Sequence, residues 1–199
     1  MKLIAKNSKT YFAHGSAVID AGAVLEKGVQ VWHFSHVMPG ANIGEGSKLG
    51  QNVFVDQGVT IGKRVKIQNN VSVYRCVTIS DDVFVGPSVV FTNVLKPRSE
   101  FPKKIEEYHK TFVGKGATLG ANSTIVCGTK IGEYAFVGAG SVVTRNVPAH
   151  ALVMGVPSKQ RGWMCVCGEK LPAKKSSKRS KCKACGMAYA ISASGCKIC

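Results

Sequence analysis

Apolar side chains recur at every sixth residue through most of this chain. Counting from Ile19 gives Leu25, Val31, Val37, Ile43, Leu49, Val55, Ile61, Ile67, Val73, Ile79, Val85 and Phe91, thirteen positions without an exception. After a gap come Val113, Leu119, Ile125, Ile131, Val137 and Val143 in the same rhythm. The residue two places earlier is usually small or β-branched, as at Ala41, Ser47, Val65, Ser123 and Ala135, and Gly or Asn marks the turns. A period of six excludes an amphipathic helix, whose apolar positions recur at three and four, and is too long for plain strand alternation. It fits a short strand and a sharp turn, repeated, with the regular apolar residue pointing inward. The pattern predicts an all-β chain, a hexapeptide β-helix.

The rhythm stops after Phe91. Val113 follows 22 residues later, which is not a multiple of six, and between them lies VLKPRSEFPKKIEEYHK, residues 94–110. This insertion carries two prolines, five basic residues, Tyr108 and His109. A looped excursion from a rigid scaffold is a common carrier of function. It is expected to wall off a site beside Asn93.

Charge and cysteine are distributed unevenly. Residues 1–157 carry 17 Lys+Arg against 10 Asp+Glu, whereas residues 158–199 carry 10 against 1, and six of the eight cysteines lie in that last stretch. Composition therefore predicts two units, a β-helix over 1–157 with its insertion at 94–110, and a basic Cys-rich tail over 158–199. The opening MKLIAKNSKTYFAHG has no apolar run of signal-peptide length, and no run approaches a membrane span, so a cytoplasmic location without a membrane span is expected.

In the tail, Cys165 and Cys167 form a C-x-C-G pair and Cys182 and Cys185 a C-x-x-C-G knuckle. Two close thiol pairs around a polar loop suit a structural, tetrahedral zinc ion, giving a small zinc-ribbon-like appendage. Cys196 and Cys199 make a third pair able to replace the first. Cys76 and Cys127 read as turn or core residues. The run KKSSKRSK reads as a solvated loop, and a nucleic-acid partner is not expected.

The segments VWHFSHVM, LGQNVFV, VKIQNNVSVY, DDVFVGPSVVFTNVLKPRSE, GATLGANSTIVCGTKIGEYAFVGAGSVVTRNVPAHALVMGVPSKQ and RGW resemble the bacterial N-acetyltransferases that act on the 3-amino group of UDP-2-acetamido-3-amino-2,3-dideoxyglucuronate, a step towards surface polysaccharides. The resemblance implies a left-handed parallel β-helix with three hexads per coil, so that residues 18 apart stack at roughly 4.8 Å. Gln57, Arg75 and Asn93 then form one corner ladder, and His33, Gln51 and Asn69 another. It also implies a homotrimer with the site between neighbouring coils, and acetyl-CoA as co-substrate. The pantetheine arm would lie near Ala121, Gly138 and Ala139, and the adenine and 3′-phosphate end near Pro157, Lys159 and Arg161.

Acyl transfer to an amine needs a neutral nucleophile in attack geometry, donors for the oxyanion, and a destination for a proton. The carbonyl of Asn93 can accept a hydrogen bond from the amine, and the resemblance puts the FTN asparagine at the acceptor. His33, His36 and His109 are candidate bases, with His33 carried as the catalytic one. Arg98 is matched to a uronate carboxylate, and Asn69, Tyr74 and Arg75 are further candidates for the nucleotide sugar. Two alternatives stand beside this reading: another amino-sugar acceptor, and a non-catalytic trimeric scaffold presenting a basic zinc ribbon. A metal hydratase on the same fold would need converging histidines, and His33 and His36 occupy different positions of the hexad.

Overall fold

A computed structural model of the chain describes residues 6–7, 10–172, 179–192 and 195–199. Most of the basic run KKSSKRSK therefore lies outside the described residues. From Phe12 to Val143 the chain winds as a parallel β-solenoid whose strands are mostly two residues long. Successive strands fall in turn on three sheets of ten, seven and six strands, the faces of a prism. One coil is 18 residues: Ile43 pairs with Ile61 and Ile61 with Ile79 on one face, and Leu49 with Ile67 and Ile67 with Val85 on the next.

The hexad explains the packing. Inward residues from Val31 to Val143 are 0–1% exposed and stack into one continuous core, whereas Ile19 and Leu25, on the first strands of their sheets, are half-buried. Buried serines join coil to coil: Ser35 Oγ donates to the Gly50 carbonyl (2.7 Å) and accepts the Val53 N–H (3.1 Å). Ser47 does the same with Gly62 and Val65.

Sequence patterning assigns all the turn glycines one role, and the structure divides them into two. The third residue after nearly every inward position takes a left-handed conformation, as at Gly58 (φ 70°) and Asn70 (φ 61°), with Val94 and Asn146 as exceptions. Where the residue directly after an inward position is Gly, the reason is different. A Cβ on Gly44 would come within 2.5 Å of the Gly62 carbonyl carbon in the next coil.

The excursion leaves this register intact. Ile79 pairs with Val113, Val85 with Leu119 and Phe91 with Ile125, each 34 residues apart instead of 18. Sixteen extra residues are therefore looped out and the coils resume in phase.

After Val143 the ten-stranded face gains Ala151–Met154 and then the antiparallel Lys159–Trp163. Beyond it stands a three-stranded antiparallel sheet of Arg179–Lys181, Ala188–Ser192 and Gly195–Ile198. Its core is small: among the described residues five are buried in it, three of them cysteines, namely Cys165, Leu171, Cys182, Tyr189 and Cys196. Among the described residues no helix is long and apolar enough to cross a membrane.

Candidate functional site

Three corners run along the prism, and the candidate residues fall on two of them. The corner between the ten- and seven-stranded faces carries His33, Gln51 and Asn69, and further along Ala121 and Ala139, whose turns are joined by the Gly140 N–H to the Ala121 carbonyl (2.8 Å). His33, Gln51 and Asn69 share a cavity of about 320 Å³ with Trp32, and the His33 ring stacks on His14 with centroids 3.5 Å apart. The corner between the seven- and six-stranded faces carries Gln57, Arg75 and Asn93, and then Cys127. Within one chain, His33 and Asn93 are thus on different corners and in different coils.

The second corner is braced where the loop departs. Asp56, 6% exposed, receives Arg75 at two points, Nη2 to Oδ1 (3.0 Å) and Nε to Oδ2 (3.1 Å), as well as the Arg75 backbone N–H (3.1 Å). Burial pushes the Asp56 carboxyl up, but these bonds outweigh it and hold the pKa below 3.8. Sequence spacing misses this pair, because the 18-residue ladder links equivalent positions and Asp56 sits one place before its rung. The Arg75 guanidinium is thereby fixed, with Nη1 left over.

Asn93 is half-buried at the foot of the excursion. Its carbonyl accepts the His109 N–H (3.3 Å) where the chain returns. On the outgoing side Thr92 Oγ1 accepts the Cys127 N–H (2.9 Å), and on the incoming side Thr111 Oγ1 accepts the Gly128 N–H (3.2 Å). Both feet of the loop are tied to the same next turn. Its interior is braced by a short 3₁₀ turn, Ile105–Glu107, and by the Lys103–Glu107 ion pair (3.1 Å).

Open pockets border the loop, two of them reaching Tyr108. One of about 460 Å³ is lined by Val94, Lys96, Lys103, Tyr108 and His109 among others; a second of about 510 Å³ is lined by Pro97, Arg98, Lys103 and Tyr108. Among the described residues Arg98 has no carboxylate partner, and it donates to the Pro97 carbonyl (3.4 Å). Leu95, Phe101 and Ile105 are more than half exposed on the same loop. His36 is taken up elsewhere, with Nε2 2.9 Å from Asp20 Oδ2 on the seven-stranded face, and Tyr74 meets Phe54 edge-on there. Pro157 lies in the turn leading to the last strand of the ten-stranded face, and that strand carries the exposed Lys159 and Arg161.

In the tail the four sequence-selected thiols converge. Cys165 Sγ lies 3.4 Å from Cys185 Sγ, Cys167 Sγ 3.6 Å from Cys182 Sγ, and all four lie within 4.8 Å of one another. Tetrahedral thiolate zinc sites separate their sulfurs by about 3.8 Å, so this donor set can hold such an ion. Cys196 and Cys199 are outside the cluster. Burial pushes the Cys165 thiol up, but the Cys167 N–H and the Tyr189 hydroxyl (3.1 Å) bring it down to about 6.

Known proteins agree with the coil. The repeat described as "Bacterial transferase hexapeptide (six repeats)" matches residues 17–57 and 110–145, and the "Hexapeptide repeat of succinyl-transferase" matches 40–75. The dTDP-3-amino-3,6-dideoxy-α-D-galactopyranose 3-N-acetyltransferase of Aneurinibacillus thermoaerophilus is 56% identical over 66 residues, 33% of this chain and 34% of that protein. The chain spans about a third or less of the length of the curated relatives it matches. A hexapeptide-repeat acetyltransferase of Vibrio cholerae, complexed with acetyl coenzyme A, superposes with a TM-score of 0.53 at 26% identity, over 62% of this chain and 70% of that one. The acetyltransferase domain of PglB from Neisseria gonorrhoeae gives 0.55 at 18% identity, over 76% and 57%, a likeness of fold alone. Repeat, register and neighbours coincide: the chain is a parallel β-helix built on the bacterial transferase hexapeptide repeat.

Proposed function

We propose that the protein transfers an acetyl group from acetyl-CoA to the 3-amino group of a UDP-2-acetamido-3-amino-2,3-dideoxyuronic acid, in the cytoplasm, towards a surface polysaccharide. The observation that carries the reading is the in-phase excursion rooted at Asn93, whose pockets present Lys96, Arg98 and Lys103, together with Glu106 and Glu107, beside that corner. A curated relative acting on a 3-amino sugar nucleotide and a structural neighbour that holds acetyl coenzyme A support it. The site residues are Asn93 and His33 for the chemistry, Asn69, Tyr74, Arg75 and Arg98 for the acceptor, and Ala121, Gly138, Ala139, Pro157, Lys159 and Arg161 for coenzyme A.

In this mechanism Asn93 accepts a hydrogen bond from the amine and aims its lone pair at the thioester carbon. The C–N bond forms, the tetrahedral oxyanion collapses, and the C–S bond breaks. The departing thiolate takes the amine proton, giving the amide and free coenzyme A. Arg98 pairs with the uronate carboxylate.

The functional unit is a homotrimer. The seven-stranded face presents Val18, His36, Phe54, Ser72, Val90 and Thr124 outward, with no Lys, Arg or carboxylate among them, whereas the other two faces present Lys48, Lys66 and Lys130. Three prisms turning that face to a common axis bring the Asn93 corner of one copy beside the His33–Asn69–Ala139 corner of the next. The two groups of site residues, separate in one chain, then form one site. The four clustered thiols hold a structural zinc ion.

A thiol-release assay across UDP- and dTDP-linked 3-amino sugars, with and without a uronate, tests the proposal. Release confined to the amino-uronate supports the acceptor named here. Release with neutral 3-amino sugars alone supports the second reading, another amino-sugar acceptor, which the 56% match favours.

A further inference from the structure

The tail touches the coil through Trp163 and through the stacked rings of His150 and Tyr189. Trp163 packs against both the coil core and the small tail core. The buried His150 ring stacks on Tyr134 of the last turns (5.4 Å, 17°) and meets Tyr189 of the tail edge-on (5.4 Å, 71°). Tyr189 accepts the Val166 N–H (3.0 Å) and donates to Cys165 Sγ (3.1 Å). His150 is bound on both sides to Met164, whose N–H donates to its carbonyl (2.7 Å) and whose carbonyl accepts from its Nδ1 (3.1 Å).

Met164 and Cys165 directly follow the strand Lys159–Trp163. In that strand Leu152 pairs with Gly162 and Val153 with Gln160, so Arg161 is the extra, bulged residue, turned out of the ladder. One side of this edge strand is held by its pairing to Ala151–Met154 and by Trp163 on the coil core. The other side is held by the tail, whose hydrophobic core among the described residues is five residues, too few to order a segment without a crosslink.

We infer that the tetrathiolate metal site is a lock on the coenzyme end of the coil. The metal ties residues 165–167 to 182–185, Tyr189 and His150 carry that restraint to the last turn, and the strand bearing Lys159 and Arg161 is held ready for the 3′-phosphate. Cys165, Tyr189 and His150 are positioning residues, and none touches the reacting atoms. The inference rests on the coenzyme reading above, and adds that the tail serves the same site and is not a separate binding module.

The test uses the full-length chain purified without chelator. One zinc per chain is expected, and cobalt exchanged into the site should show thiolate-to-metal charge transfer. Cys185→Ser should lose the metal and weaken coenzyme A about tenfold, the loss of one charge-assisted contact, while leaving 3′-dephospho-coenzyme A binding unchanged. Cys185→His should restore metal and affinity as a three-cysteine, one-histidine site, and Cys199→Ser should alter neither. Where Cys185→Ser fails to fold, chelator-stripped wild type replaces it, read by hydrogen exchange. Amides of 159–163 should then exchange faster with those of 119–143 unchanged. Absence of a stoichiometric thiolate-bound metal overturns the inference, as does a metal-free protein with wild-type coenzyme affinity. Failure of the metal-loaded wild type to bind coenzyme A overturns the underlying reading, and is distinct because it precedes any metal removal.

Discussion

The backbone carbonyl of Asn93 and the N–H of His109, sixteen residues apart in sequence, close a hydrogen bond of 3.3 Å. The excursion therefore leaves and rejoins the coil at one point, and Asn93 stands in the opening. The pocket beneath the loop is lined at its base by the next residue, Val94, and by the returning His109.

Replacing Asn93 should damage chemistry and spare the fold. Asn93→Ala is expected to lower kcat by about a hundredfold, the scale of a lost orienting contact, with an unchanged melting temperature and oligomer mass. A corner side chain fills no core space, so a parallel fall in stability would reassign Asn93 to structure.

Among the described residues Arg98 has no carboxylate partner, which leaves it available to the uronate. Arg98→Ala should raise KM for an amino-uronate by about tenfold or more, the scale of a charge-assisted contact, and leave KM for a neutral 3-amino sugar unaltered. Steady-state kinetics with both acceptors decides it, and equal damage to the two removes the carboxylate contact.

The two-corner site predicts complementation. Asn93→Ala and Asn69→Ala each disable every site in their own homotrimers. Mixed by denaturation and refolding or by co-expression, they should form some sites with wild-type residues on both corners. Partial recovery of activity in the mixture is expected, and a mixture no more active than the separate variants would confine the site to one chain.

The Asp56–Arg75 pair sets an acid limit. The folded-state carboxyl titrates below its usual 3.8, so its contribution is complete above 3.8 and is lost as pH falls through the lower folded value. Thermal melts should show Asp56→Asn less stable than wild type at pH 7, with the gap narrowing only below about pH 3.8. A gap that closes already near pH 5 would contradict the pairing.

Much of this architecture is legible in the sequence because one repeated constraint writes it: an inward side chain every six residues fixes strand, turn and register together. The break after Phe91 is equally plain. What spacing misses are contacts off the ladder. Asp56 reaches Arg75 one position out of phase, and the last turn's His150 joins Tyr189, 39 residues on, through ring packing that no period encodes. The cysteines show the same limit. Their sequence spacing allows either Cys165–Cys167 or Cys196–Cys199 as partner to Cys182–Cys185, and only the three-dimensional convergence of four sulfurs selects the first.

The central claim is that the chain interrupts its repeat to build the site where a thioester meets a sugar amine. Deleting residues 95–110 joins Val94 to Thr111 and restores the 18-residue coil. Val94→Gly should accompany the deletion, because the equivalent Cys76 has φ 69°, a conformation unfavourable for a β-branched residue. The measurement is thiol release from acetyl-CoA by the purified deletion variant with a 3-amino sugar nucleotide, read beside its melting curve. A protein as stable as wild type whose release falls to background is the predicted result, whereas a folded protein that keeps activity within a few-fold would contradict the account.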